Sequence, residues 1–118
     1  MRIVEFYKTE NGESPVQKFF DSLSSKQMQK TSWVLMLIKE IPHVPINYLK
    51  KLVGTDELWE LRINAGNTKI RVLCFFHNGK TIVLTSGFIK KSQKTPKNEI
   101  DMAENRKKDY LRRHYNER

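Results

Sequence analysis

LWELRINAGNTKIRVLCFFHNGKTIVLTSGF, residues 58–88, decides the fold. It reads as three strands in quick succession, Leu58–Asn64, Lys69–His77 and Thr81–Phe88, rich in β-branched and aromatic residues. Asn78-Gly79 is the strongest short hairpin signal in the chain, and a two-residue type I′ turn there pairs His77 with Lys80. That register sets Arg71 opposite Ser86 and Leu73 opposite Leu84. Around Ala65-Gly66-Asn67-Thr68 two registers compete, one pairing Arg62 with Arg71 and the other Leu61 with Arg71. A slip of one residue turns every side chain to the other face, so only the first keeps the apolar residues together.

In that register one face carries Trp59, Leu61, Ile63, Ile70, Val72, Cys74, Phe76 and Val83, the side expected against helices. The other carries Glu60, Arg62, Arg71, Ser86 and Phe88, a polar patch in mid-sheet. Two arginines on neighbouring strands repel each other. Their guanidinium forks match the oxygens of a phosphodiester, so an anion between them is the natural complement. Glu60 is either a salt-bridge partner that orients Arg62 or a general base. Phe88 either stacks on a nucleobase or packs over the strand end.

Outward from the sheet, Arg2–Tyr7 reads as a first strand. Ser14-Pro15-Val16-Gln17 has the N-cap, first-turn proline and reciprocal capping residue of a helix start, followed by the stripe Val16, Phe19, Phe20, Leu23. Ser24-Ser25-Lys26-Gln27 repeats the capping signal, and a second helix with Met28, Thr31, Leu35 and Ile38 on one face stops before Pro42, completing a helical hairpin. Residues 42–56 read as irregular and include Lys50-Lys51. A last helix, capped by Thr95-Pro96, carries Ile100, Ala103, Lys107 and Tyr110 on one face and Arg106, Lys108, Arg112 and Arg113 elsewhere on its surface. The expected class is α+β: an antiparallel sheet, an N-terminal strand plus a three-stranded meander, packed on the helical hairpin with a C-terminal helix. Residues 1–118 read as a single domain.

The charge suggests a partner. Twenty-two Lys and Arg against 13 Asp and Glu leave a net +9. Such an excess attracts a polyanion, nucleic acid or an anionic membrane surface, unless it serves solubility alone. Its distribution favours the polyanion: residues 61–98 hold no acid but eight cations, Arg62, Lys69, Arg71, Lys80, Lys90, Lys91, Lys94 and Lys97. A merely soluble surface would intersperse both signs. Lys90, Lys91 and Lys94 follow the third strand and, with Lys50 and Lys51, are candidate RNA contacts.

No apolar run approaches the roughly 18 residues of a membrane span, and the N-terminus offers no export signal. The lone Cys74 makes no internal disulfide, so a reducing, cytoplasmic home is expected. His43, His77 and His114 lack metal-ligand spacing, and no phosphate-binding glycine loop, nucleophile elbow or HExxH is present. No cofactor or metal is expected, and phosphodiester cleavage at this patch would be metal-independent.

Taken together, Leu58-Trp59-Glu60-Leu61-Arg62, Ile70-Arg71-Val72-Leu73, Gly87-Phe88-Ile89-Lys90-Lys91 and Lys94-Thr95-Pro96 before a basic helix resemble the RelE/ParE toxin superfamily, in its HigB-like, phage-derived branch. The resemblance covers nearly the whole chain. It implies the toxin of a type II toxin–antitoxin system, an endoribonuclease that cuts mRNA, usually on the ribosome, by attack of the RNA 2′-hydroxyl on the adjacent phosphate. Arg62, Arg71 and Lys90 match the family's phosphate-holding positions, and Glu60 is left as the candidate base. The resemblance also implies a helix-turn-helix, HigA-like antitoxin, with operator DNA bound only through it. The rival reading is a non-catalytic RNA- or ribosome-binding module using the same basic face.

Overall fold

The computed structural model describes residues 1–115. The chain runs β1 (Ile3–Phe6), α1 (Pro15–Asp21), α2 (Ser25–Glu40), β2 (Leu49–Lys51), β3 (Trp59–Ala65), β4 (Thr68–His77), β5 (Thr81–Ile89) and α3 (Lys97–Arg113). The strands form one sheet in the order β1-β5-β4-β3-β2. It is α+β, as expected, but the sheet is mixed rather than antiparallel: β1 lies parallel to β5. The edge position suits β1. Val4 and Phe6 face the helical hairpin, while Arg2 donates from its guanidinium to the carbonyls of Ile38 (2.9 Å) and Ile41 (2.6 Å), carbonyls that the end of α2 leaves without helical donors. A second departure is β2, antiparallel to β3 at the other edge, within residues expected to be irregular. Three residues ending in two lysines carry no readable alternation.

Both helix starts follow their capping residues. Ser14 Oγ accepts from the Gln17 N–H, and Ser24 and Gln27 form the full reciprocal box. α1 and α2 bury Val16, Phe20, Val34 and Ile38 against Leu61, Ile63, Ile70, Val72, Cys74, Ile82 and Leu84. The opposite face is covered too, by α3. Leu58, Leu73, Phe75, Val83 and Phe88 pack there with Tyr7, Ala103 and Tyr110. α3 is fastened by Lys107, whose ammonium donates to the Asp56 carbonyl, by Tyr110 donating to Glu5 Oε2 (2.9 Å), and by Tyr7 donating to Asp109 Oδ2 (2.6 Å). Arg113, with the Tyr7 hydroxyl behind it, holds the Asp109 carboxyl far below the usual carboxylate range.

The register of β3 on β4 is the expected one, with Arg62 opposite Arg71 and Leu61 opposite Val72. The β4–β5 register differs twice. His77 pairs with Thr81 instead of Lys80, because Asn78, Gly79 and Lys80 all lie in the turn. A bulge then leaves Thr85 without a partner between Cys74↔Leu84 and Leu73↔Ser86. Near the turn the single shift moves Val83 to the α3 face, opposite Phe75. Beyond the bulge the two shifts add, so Arg71 faces Phe88 rather than Ser86. The bulge is stabilised from both sides: Thr85 Oγ1 donates to the Leu73 carbonyl (2.9 Å), and Arg106 donates to the Thr85 carbonyl (2.9 Å) and Ser86 Oγ (3.1 Å). Arg106 is therefore turned into the sheet, not out with the surface cluster.

Gly87 is where α1 crosses β5. A Cβ there would lie 2.2 Å from Phe19 Cδ2. Gly87→Ala is expected to destabilise by about 1–3 kcal/mol, the range for overpacking. The cost should shrink in a Phe19→Ala background, since the clash is with that ring. Urea midpoints of the four proteins in this cycle test it; equal costs in both backgrounds would place the strain elsewhere.

Candidate functional site

The pairing of β3 with β4 places Arg62 and Arg71 side by side, and the loop after β5 folds back over them. The Lys90 N–H donates to the Lys69 carbonyl (2.8 Å), extending the β4–β5 ladder past the strand end. The result is a cavity of about 400 Å³ lined by Arg62, Asn67, Lys69, Arg71, Lys90, Lys91, Ser92 and Gln93. Five of these residues are basic and none is acidic. A larger cavity, about 690 Å³, lies between β1, α1 and the end of α3, but Glu5 lines it alongside Lys8 and Arg113, and it lacks the single-sign field of the first.

Beneath the cationic cavity lies Glu60, only 2% exposed. Its Oε1 is 3.9 Å from Arg62 Nε and 3.8 Å from Arg71 Nε, and its Oε2 accepts a 2.6 Å hydrogen bond from Thr95 Oγ1. Of its two possible roles, this burial fits the orienting one. Thr95 was expected to cap α3; instead the N-cap is Pro96, without a side-chain cap bond, and the threonine hydroxyl is spent on Glu60. The sequence marked Thr95 as a helix cap and as part of the Lys-Thr-Pro run, not as a partner of Glu60.

Arg71 differs from expectation in exposure. Read as an open-face arginine, it is 3% exposed and forms the floor of the cavity. Its Nη1 donates to the Ile70 carbonyl (2.9 Å) and Asn64 Oδ1 (3.1 Å), while its Nε is buried without a hydrogen-bond acceptor. Burial lowers its pKa from the usual arginine value, Glu60 opposes that, and Arg62 adds to it. Lys90 is likewise lowered, first by burial, against Glu60 and with Arg71, Arg62 and Lys50 contributing. Arg62 is more accessible, with a side chain 31% exposed.

The structure thus gathers Arg62, Arg71, Lys90 and Lys91 in one cavity over Glu60 and adds Lys69, Asn67, Ser92 and Gln93. Lys50 stands on β2 opposite Glu60, within electrostatic reach of Lys90. Three candidates fall outside. Lys51 is ion-paired with Glu57 at 2.6 Å. Lys94 is exposed and accepts at its carbonyl from Ser92 Oγ, away from the cavity lining. Phe88, expected on the open face, is 8% exposed and packed beneath α3, so it offers no ring for stacking. Lys69 was legible as one of the eight cations of the acid-free stretch; Ser92 and Gln93 carried no signal.

Comparison with known families gives one match. A model described as phage derived protein Gp49-like (DUF891) matches residues 18–108, a span that contains every cavity-lining residue and both Glu60 and Thr95. No curated protein matched the chain.

The Thr95–Glu60 bond has a measurable consequence. A hydrogen bond to a charged group contributes about 1.5–3 kcal/mol. Thr95→Val is expected to lower stability by that amount while Thr95→Ser retains most of it. Urea unfolding of the two variants checks this; a valine variant as stable as the serine one would show that the hydroxyl does not hold Glu60.

Proposed function

We propose that this chain, which belongs to the Gp49-like phage-derived protein family, a family of RelE/ParE-type toxins, is a toxin that cuts mRNA. One observation carries the reading: a cavity with five cations and no acid, floored by the buried Arg71 guanidinium. A phosphodiester entering it would meet guanidinium and ammonium donors with no carboxylate in the lining to compete for them.

The chemistry follows from these groups. The RNA 2′-hydroxyl attacks the adjacent phosphorus and releases its proton to solvent water, the bond from phosphorus to the 5′-oxygen breaks, and a 2′,3′-cyclic phosphate and a 5′-hydroxyl result. Arg62 and Lys90 hold the non-bridging oxygens as charge accumulates on them, with the Arg71 field behind. Such preorganised donors act most strongly where water is excluded. Glu60 orients the two arginines rather than serving as the base. Lys90, held below the ordinary lysine pKa, is suited to deliver the proton to the leaving 5′-oxygen.

In cells the enzyme would act on messages at the ribosome and be restrained by a helix-turn-helix antitoxin of HigA type, which would bring acidic groups to the basic cavity. Operator DNA would be bound through the antitoxin.

Expression of the chain alone is expected to arrest growth and cleave cellular mRNA. With purified protein, Arg62→Ala and Lys90→Ala should each slow cleavage of single-stranded RNA by roughly 10²–10³, the usual loss for one preorganised donor. Arg71→Ala should lose activity and stability together, because the side chain fills the cavity floor. If Lys90 is the acid, activity declines with rising pH below the ordinary lysine pKa of about 10.4, and Lys90→Arg removes that limb. Folded wild-type protein that binds RNA tightly without cutting it would instead make the chain a non-catalytic binding module.

A further inference from the structure

The cationic cavity is not the only basic recess beside the β3–β4 turn. On the other side of that turn a second cavity, about 370 Å³, is lined by Lys26, Gln27, Lys30, Asn64 and Gly66 among others, again without an acid. The two recesses share a wall. Asn67 and Lys69 face the first; Asn64 lines the second while its side-chain oxygen accepts from Arg71, on the floor of the first, at 3.1 Å. The crest between them is open: a Cβ built on Gly66 would meet nothing within 4 Å.

We propose that α2 and the β3–β4 turn form a second RNA contact, on which the strand leaving the cationic cavity is held by Lys26 and Lys30 and stacks a base on Trp33. This rests on the RNA-cutting reading above. Three observations support it. Residues 22–39 contain no acid, so this face of α2 adjoins the acid-free hairpin and extends its field. Lys18, Lys51 and Lys97 have carboxylate partners, whereas among the described residues Lys26 and Lys30 have none. Finally, Trp33 is 41% exposed, with Lys30 Nζ 4.6 Å above its ring and Tyr48 edge-on at 5.6 Å.

Spacing on the helix completes the picture. Lys26, Lys30 and Trp33 lie four and three residues apart and so share one face. A cationic groove leading to an exposed aromatic is how single strands are held without sequence preference. Ser24 and Gln27 satisfy each other at the start of α2, and Lys26 and Lys30 supply the cationic side chains. With Phe88 buried, Trp33 offers an exposed ring on the α2 face that carries Lys26 and Lys30.

The test is binding of 2′-O-methyl RNA, which cannot be cut, measured by fluorescence anisotropy across a salt series. The probes are a dinucleotide and a strand of about eight nucleotides, within the site sizes of single-strand binders. On the longer strand, the double change Lys26→Ala, Lys30→Ala should reduce the salt slope by about 1.4, or 0.7 for each phosphate that is no longer neutralised. Trp33→Ala should weaken binding about tenfold, as the loss of one stacked base does, and Trp33→Phe should keep most of it. Lys18→Ala, on α1, should leave the slope unchanged. On the dinucleotide the penalties should vanish.

Wild-type binding that falls with Arg62→Ala but not with the α2 changes overturns this second contact and leaves the cleavage site standing. Failure of the wild type to bind either RNA overturns the RNA reading itself. α2 changes that spare RNA binding but abolish capture of an acidic partner protein would make the face a protein-docking surface instead.

Discussion

Glu60 is the residue on which the rest of the site depends. It is a buried carboxylate beside a cavity whose lining holds no acid, and it faces two arginines that the strand register forces together. Without it, Arg71 would be a buried cation beside a second cation, an arrangement that burial and repulsion both disfavour. With it, one negative charge offsets part of the field and leaves the remainder directed at the cavity. The distances matter here. At 3.8 and 3.9 Å the carboxylate stabilises both guanidiniums by charge without hydrogen-bonding the Arg71 Nε, which stays without an acceptor. Five cations line the pocket over this one carboxylate, so a net positive field remains.

Thr95 connects that balance to the chain beyond β5. The same loop supplies Lys90, Lys91, Ser92 and Gln93 to the cavity and then anchors to Glu60 before α3 begins. Loop and arginine pair are thus held by one carboxylate, the loop by a hydrogen bond and the arginines by charge. The Thr85 bulge joins in from the other side, because Arg106 of α3 satisfies the displaced carbonyl and reaches Ser86. Helix α3 therefore closes the second hydrophobic layer and also steadies the strand from which the cavity-lining loop departs.

Much of this was legible in the sequence where hydrophobic pattern sets the geometry. The Arg62–Arg71 pairing followed from keeping Leu61, Ile63, Ile70 and Val72 on one face, and the structure has that register. Both N-terminal caps were readable because Ser and Gln recur at the spacing their hydrogen bonds require. What failed did so for identifiable reasons. Asn78-Gly79 announced a turn but not that Lys80 would join it, and nothing in Leu84-Thr85-Ser86 announced a bulge. Those two shifts cancel in parity, so Ser86 and Phe88 stayed on the expected face while Val83 did not. Burial was the harder quantity. Leu58, Leu73, Phe75 and Val83 lie on the same face as the arginines, and α3 covers them, Phe88 included. A face read as open is therefore half core, and only its β3–β4 end remains a site.

That division of one face into core and cleft explains why the cations gather where they do. α3 seals the part of the sheet where Leu73, Phe75 and Val83 exclude water, and its start, at Pro96, lies just past Thr95. The arginines thus sit at the boundary, near enough to the apolar layer for Arg71 to be dehydrated, yet open on the loop side for Arg62 and Lys90 to meet solvent. A charge at such a boundary interacts more strongly with an anion than one in bulk water, because less solvent screens it. Placed deeper, the same arginines would need carboxylate partners of their own and present no net field; placed on the surface, they would be screened by salt. At the boundary, one carboxylate is enough to keep the arginines folded and too little to neutralise them.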